Sequence, residues 1–376
     1  MSNPQHTTRN PQPYPFSIFN HFETSGINWR QRIPLLYSVA TLAKGIDMTS
    51  LMTHITDCIA GEIKAVDQRF ADELTSSVRC VNTLVKHVSR FRGKMLRPCL
   101  VLLSGKACAA NPGDDLPDAH ITLATVVEMV HMATLVHDDV LDDAELRRNG
   151  ATINHLRGNE AAVLLGDYLI SHSYHLCSSL ESQFASRLIA RTTNQVCEGE
   201  LLQIDNRNNL DLDEKTYFQI ITHKTAVLCA ACCTLGATFA GANPQTVKQL
   251  ETYGNCLGTA FQIQDDLLDI LGDPAAVGKT LGSDIHKGKL TLPMIHFMHN
   301  APPEHRTLLR SLLTSRDLDK VEQIRNLILP SPSIPYAREY AKRLVHQAQR
   351  CLSDLPESEP RRVLETMAEF VISREN

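Results

Sequence analysis

From about residue 50 onward the chain repeats apolar residues at spacings of three and four, as in "LMTHITDCIAGEIKAV", "AAVLLGDYLISHSYHL" and "YAREYAKRLVHQAQRCLSDL". That period matches one face of an α-helix. The strict alternation of half-buried strands is missing. Breaker-rich stretches separate the helical runs: "NPGDDLPD" at 111–118, "RRNGAT" at 147–152, "NRNNLDLD" at 206–213, "GANP" at 241–244, "GDPAAVGKTLGSD" at 272–284, "APPE" at 301–304 and "LPSPSIP" at 329–335. No shift in composition divides this region, and no repeat of solenoid length occurs in it. The pattern predicts one all-α domain over 49–376, a single large bundle of ten or more helices. Residues 1–48 read as an N-terminal extension, partly irregular, with a polar, proline-rich start.

At 376 residues the chain has ample material for a core. A net charge of −5 gives no electrostatic case for a nucleic-acid partner. The first residues lack a signal-peptide pattern, and no apolar run is expected to be long and charge-free enough to span a bilayer. Eleven cysteines are scattered singly, mostly inside apolar stretches, which is the usage of reduced, buried thiols in a cytoplasmic protein. Cys229 and Cys232 form a C-x-x-C with Cys233 beside them, but "TAVLCAACCTLGATFAGA" is an apolar helical run without a second ligand pair. Core packing is expected there, not metal or redox chemistry.

Two acidic clusters change the picture. In "VHDDVLDDAELRRNG" an apolar helix runs straight into Asp138, Asp139 and Asp142. Residues four apart share a helix face, so Asp138 and Asp142 repel across one turn unless a cation offsets them. "GTAFQIQDDLLDILGD" repeats the arrangement with Asp265, Asp266 and Asp269. One such motif reads as a solvated acidic turn; two, each closing an apolar helix, read as facing halves of a site in a bundle. Hard divalent ions want oxygen ligands, and magnesium takes one or two carboxylates plus substrate phosphate oxygens. Cationic residues accompany the acids: Arg147 and Arg148 after the first cluster, Lys279 and Lys289 after the second, and Lys94 and Arg97 in "RGKMLRP". Acids, metal and bases together suit two phosphorylated ligands.

With these stretches in order, the chain resembles the trans-isoprenyl diphosphate synthases, or polyprenyl synthetases. The resemblance rests on "GKMLRP", "EMVHMATLVHDDVLDDAELRRNGATINH", "LLGDYLI", "CEGELLQ", "YFQIITHKTAVL", "GTAFQIQDDLLDILGD" and "VGKTLGSDIHKGKLTLP", which span roughly residues 75–295. It implies that Asp138 and Asp142 bind Mg2+ holding an allylic diphosphate, and that Asp265 binds a further Mg2+ with Asp269 in support. Arg147, Lys224, Lys279 and Lys289 would contact the allylic diphosphate. Lys94, Arg97, His131 and Arg148 would hold isopentenyl diphosphate, and Thr225 and Gln262 would place oxygens near an allylic cation. The resemblance also implies a homodimer that works near a membrane without spanning it, supplying a quinone side chain or carrier lipid. Two features depart from the pattern: Asp143 and Glu145 extend the first motif, and "SRFRGKMLRP" has arginine where many relatives carry a second glycine.

The chemistry accounts for these residue types. An allylic C–O bond ionises when its leaving diphosphate is neutralised, and the cation must meet an alkene before water does. The growing chain would run along the helix that leads to Asp138, past Thr134, Ala133, Val130, Val127 and Val126. None is aromatic, so no floor stops growth at farnesyl, and a medium to long all-trans product is expected. A side chain from a neighbouring helix, such as Tyr168 or Tyr174, would instead stop it at geranylgeranyl diphosphate. A class I terpene cyclase would typically replace the second D-D-x-x-D with another metal motif, and a non-catalytic partner subunit would have lost the charged positions that are intact here.

Overall fold

The computed structural model describes residues 48–90, 93–148, 150–272, 282–317 and 319–373. The expected extension, Met48 apart, and Lys279 lie outside the described residues. Helices α1 (Met48–Glu73), α2 (Arg79–Ser89), α3 (Leu96–Cys108) and α4 (Asp118–Leu141) come first. A hairpin of β1 (Leu146–Arg147) and β2 (Gly150–Ala151) pairs Leu146 with Ala151 and Arg147 with Gly150. Next are α5 (Ile153–Arg157), α6 (Asn159–Ser178), α7 (Gln183–Asp205) and α8 (Glu214–Ile221), the last running through one π-helical turn (Thr222–Ala226) into α9 (Val227–Phe239). Then follow α10 (Pro244–Leu271), α11 (Ser283–His286), α12 (Leu292–Asn300), α13 (Pro303–Thr314), α14 (Lys320–Ile328), α15 (Ser333–Leu352) and α16 (Glu359–Ser373).

Most breakers fall between helices, and the chemistry at the starts explains why. Asn243 accepts the Thr246 N–H at 3.0 Å and Pro244 occupies the first turn of α10, where a missing N–H costs nothing. Asp213 caps α8 in the same way, accepting from Thr216 at 2.7 Å. Two breakers behave differently. Residues 147–152 contain the turn of a hairpin, the one strand pair among the described residues. The prolines of 329–335 do not prevent α15 from starting at Ser333, because the first turn of a helix tolerates them.

From His120 to Val130 every residue of α4 is buried, with the helix packed on α6, α3 and α1. α10 packs on α15 and α9, and α3 joins the two halves by touching both α4 and α9. One apolar cluster draws on α1–α7, α9, α10, α15 and α16; a second joins α8, the last turns of α10 and α11–α15. Contrary to expectation, two segments, Asp118–Leu141 and Glu214–Phe239, are long and apolar enough to cross a membrane by composition. Most of each lies inside the fold, and a helix apolar all round is what a bundle centre requires. Cys229, Cys232 and Cys233 are free thiols on α9, and burial raises the pKa of all three, as core packing demands.

Candidate active site

The last turn of α4 carries the first acidic motif to the edge of the apolar core. The Asp142 N–H bonds the Asp138 carbonyl at 2.9 Å, so their carboxylates stand one turn apart. Three lysines converge on them from other parts of the chain. Lys287 and Lys289, just after α11, place their ammonium groups 2.9 and 3.7 Å from the two oxygens of Asp142. Lys224, on the π-turn, donates to Glu200 of α7 and lies 3.8 Å from Asp138. Burial works to raise the Asp142 carboxyl, but Lys289, Lys287 and Lys224 hold it below its ordinary range. Burial raises Asp138, with Glu200 and Asp142 adding to it and Lys224 opposing. Burial likewise opposes charge on Lys224, but Asp138 and Glu200 outweigh it and raise its pKa.

The second motif meets the first through α11. Asp269 accepts the Ser283 and Asp284 N–H groups, each at 3.1 Å, and so caps that short helix. This holds Lys287 and Lys289 over Asp142, which makes Asp269 a support of the site. Asp284 sits among carboxylates: burial, then Asp269, pushes its carboxyl up to about 6. Asp265 is half-buried on α10. Its neighbour Asp266 is buried, accepting from the Tyr217 hydroxyl at 2.7 Å and from Gln262 Nε2 at 2.8 Å. Burial, then Asp284, raises its carboxyl, with those two hydrogen bonds opposing. The Gln262 carbonyl oxygen in turn accepts from the Thr225 hydroxyl at 3.0 Å.

A pocket lies further back along α4, lined by His131, Glu128, Gly93, Arg147, Arg148 and His87. Arg97 donates to His131 Nε2 at 3.0 Å; arginine only donates, so that nitrogen carries the lone pair. Burial, then Arg97, drives the His131 pKa well below its ordinary value, so the ring is neutral. The Nε of Arg97 is buried and has no hydrogen-bond partner among the described residues, a donor awaiting an acceptor. Gly93 lets the chain pass under Arg148, where a Cβ would fall 2.6 Å from the guanidinium. Met95 (φ 54°) and Arg148 (φ 50°) hold left-handed backbone, a strain that clusters at functional sites. Lys94 is exposed beside this loop, and Arg147 donates to Asp139 at 2.7 Å.

The structure therefore brings together Asp138, Asp142, Lys224 and Lys289, joins Thr225 to Gln262, and gathers His131, Arg147 and Arg148 round one pocket, with Arg97 bonded to His131 behind it. Glu200, Lys287, Asp139, Tyr217 and Asp266 had no role assigned from sequence. Tyr217 stands seven residues before Lys224, two helical turns, which is a usable signal. The π-turn blurs it by changing the face on which the later residues emerge. Among the described residues no three acidic, histidine or cysteine groups form a closed metal cage. The donors that crowd here are hard carboxylate oxygens already facing lysine ammonium groups, which fits an ion that takes its remaining oxygens from a diphosphate.

Residues 78–328 match the profile of the polyprenyl synthetase family. The octaprenyl diphosphate synthase of Escherichia coli (strain K12) is 33% identical over 327 residues, covering 86% of this chain and 99% of that protein. A short chain isoprenyl diphosphate synthase of Methanothermobacter thermautotrophicus is 33% identical over 332 residues, covering 86% of this chain and 100% of that protein. The crystal structure of polyprenyl synthase from Caulobacter crescentus CB15, complexed with calcium and isoprenyl diphosphate, is 31% identical with a TM-score of 0.78, over 86% of this chain and 98% of that one.

Proposed function

The chain belongs to the polyprenyl synthetase family and is a trans-prenyltransferase, and we propose that it condenses isopentenyl diphosphate with an allylic diphosphate, repeatedly, to a medium or long all-trans polyprenyl diphosphate. The observation that carries this reading is the meeting of the two acidic motifs: Asp142 of the first pairs with Lys287 beside an α11 that Asp269 of the second caps. Asp138, Asp142 and Asp265 would hold Mg2+, which when bound supplies positive charge to the leaving diphosphate. Lys224, Lys289 and Arg147, with Lys279, would take the allylic diphosphate. Arg147 must first exchange its bond to Asp139. Lys94, Arg97, His131 and Arg148 would take isopentenyl diphosphate, His131 by holding Arg97 in place. Ionisation of the allylic C–O bond leaves a cation beside Thr225 and Gln262. The isopentenyl double bond attacks it, and the proton then lost goes to the departed diphosphate, so the chain need supply no strong base.

Overall similarity does not select a product length, since relatives named for octaprenyl and for short chain products are equally identical. The support for a longer product is local. Val126, Val127, Val130 and Ala133 are fully buried along α4, and none is bulky. Geranylgeranyl diphosphate is the second reading, favoured by half-buried Tyr168 and Tyr174 on α6, the helix against which α4 packs most extensively. Exposed Val163 and Leu164 on α6, with Phe184 and Leu201 on α7, support a homodimer. Free thiols, nine of the eleven at least partly buried, support a cytoplasmic setting.

The test is an incubation of the purified protein with farnesyl diphosphate, isopentenyl diphosphate and Mg2+, with products sized by chromatography. A ladder ending at one long prenyl chain is expected. Termination at geranylgeranyl diphosphate would move the floor to α6, and a folded, metal-supplied protein that consumes no isopentenyl diphosphate would sink the reading.

A further inference from the structure

The hydrogen bonds between α8, the π-turn and α10 all point one way. The Tyr217 hydroxyl donates to one oxygen of Asp266 at 2.7 Å. With that oxygen engaged, the other oxygen of Asp266 accepts from Gln262 Nε2 at 2.8 Å. This sets the side-chain amide: if its nitrogen faces Asp266, its oxygen faces Thr225, whose hydroxyl donates to it at 3.0 Å. Every proton in the chain of contacts thus points toward Asp266. Tyr217 and Asp266 are buried, whereas Gln262 and Thr225 are only partly so, which makes the latter two the open end.

The hydroxyl hydrogen of Thr225 is committed inward, so what Thr225 offers outward is lone pairs. A hydroxyl free to rotate would turn either end of its dipole to a ligand; this one is held with its negative end outward before any ligand arrives. Fixed dipoles of that sense stabilise developing positive charge without having to reorient during the reaction.

We propose that Asp266 is a positioning residue for the prenyl transfer: as the shared acceptor of Tyr217 and Gln262 it turns the Gln262 amide and the Thr225 hydroxyl so that lone pairs, not protons, face the allylic cation. The middle aspartate of the second motif then works through hydrogen bonds, with both its oxygens engaged, while the metal-holding role proposed above stays with the outer Asp265. This rests on the proposed roles of Thr225 and Gln262.

The test is a double-mutant cycle on the full-length protein with Asp266→Asn, Thr225→Val and the pair, assayed with farnesyl diphosphate, isopentenyl diphosphate and Mg2+. Mn2+ binding is followed separately by electron paramagnetic resonance. Loss of one preorganised dipole costs about a hundredfold in kcat when the group touches the reacting charge, and about tenfold is expected when it acts through a neighbour. Asp266→Asn should therefore lower kcat about tenfold, with KM for both diphosphates and Mn2+ affinity within about twofold of the parent protein. The double variant should be no slower than Thr225→Val alone, since both changes break the same chain. Effects that multiply would overturn the proposal, as would Asp266→Asn weakening Mn2+ binding, which would make Asp266 a metal ligand. Should Asp266→Asn not fold, Tyr217→Phe replaces it in the cycle with the same expected outcomes. A parent protein that consumes no isopentenyl diphosphate would count against the proposed function, a result distinct from any of these.

Discussion

At Lys224 burial and charge pull in opposite directions. The side chain is taken largely out of water, yet Glu200 and Asp138 keep it charged. Such a pair costs little only while the charges stay matched. On the proposed function, an incoming diphosphate would take over Lys224 and a metal ion would take over Asp138. Lys224→Met should lower kcat about a hundredfold, the scale for removing a preorganised charge from a developing anion; full activity in that variant would remove Lys224 from the site. Asp284 shows the opposite imbalance. Its carboxyl is pushed from the ordinary 3.8 up to about 6, so the native state holds a proton that the unfolded state releases. Stability from this group is fully present below 3.8 and is lost as pH rises through about 6. Metal-free Asp284→Asn should melt higher than the parent protein above that pH, with the gap closing toward acid. Thermal melts across the range check this, and a gap independent of pH would refute the cause given.

The π-turn between α8 and α9 delivers Lys224 and Thr225 as neighbours to two different partners, Asp138 and Gln262. α7 approaches this turn at Gly199, where a Cβ would fall 2.7 Å from the Lys224 nitrogen and 2.7 Å from His223 Cβ. A backbone atom cannot swing aside, so Gly199→Ala must move one of the two elements. Overpacking of this kind costs about 1–3 kcal/mol. Gly199→Ala should melt earlier and lose kcat together, because α7 also carries Glu200, the partner of Lys224. Unchanged activity would show that the turn tolerates displacement. α11 illustrates the same dependence at smaller size: it is a single turn, and Asp269 supplies both of its side-chain caps.

Across the whole molecule, α4 has two jobs that its sequence separates by position. From His120 to Val130 it is buried on all sides, and its end presents acids to lysines from the π-turn and from the segment after α11. A product that grows away from Asp138 must displace or thread past that packing. Ala133 is fully buried and Thr134 half-buried, one turn above Asp138. Ala133→Phe should shorten the main product, and Thr134→Phe should do so with less overpacking; chromatography of the products reads both. Identical product length in two folded variants would place the limit on another helix, with Tyr168 and Tyr174 of α6 the next to change.

Much of this organisation is local and therefore legible in the chain itself. Helical periods, caps such as Asp213 and Asn243, and acids four apart depend on neighbours within a turn, so pattern alone specified the helical class, most loop positions and the aspartates. The partners of those residues depend on contacts between residues far apart in sequence. That Lys287 faces Asp142, that Glu200 holds Lys224, that Arg147 rests on Asp139 and that Asp266 gathers protons from Tyr217 and Gln262 were decided only when α4, α7, α8, α10 and α11 packed together. Burial at that point changes which charges persist and which way hydrogen bonds run, and neither quantity exists for a residue until the fold has chosen its neighbours.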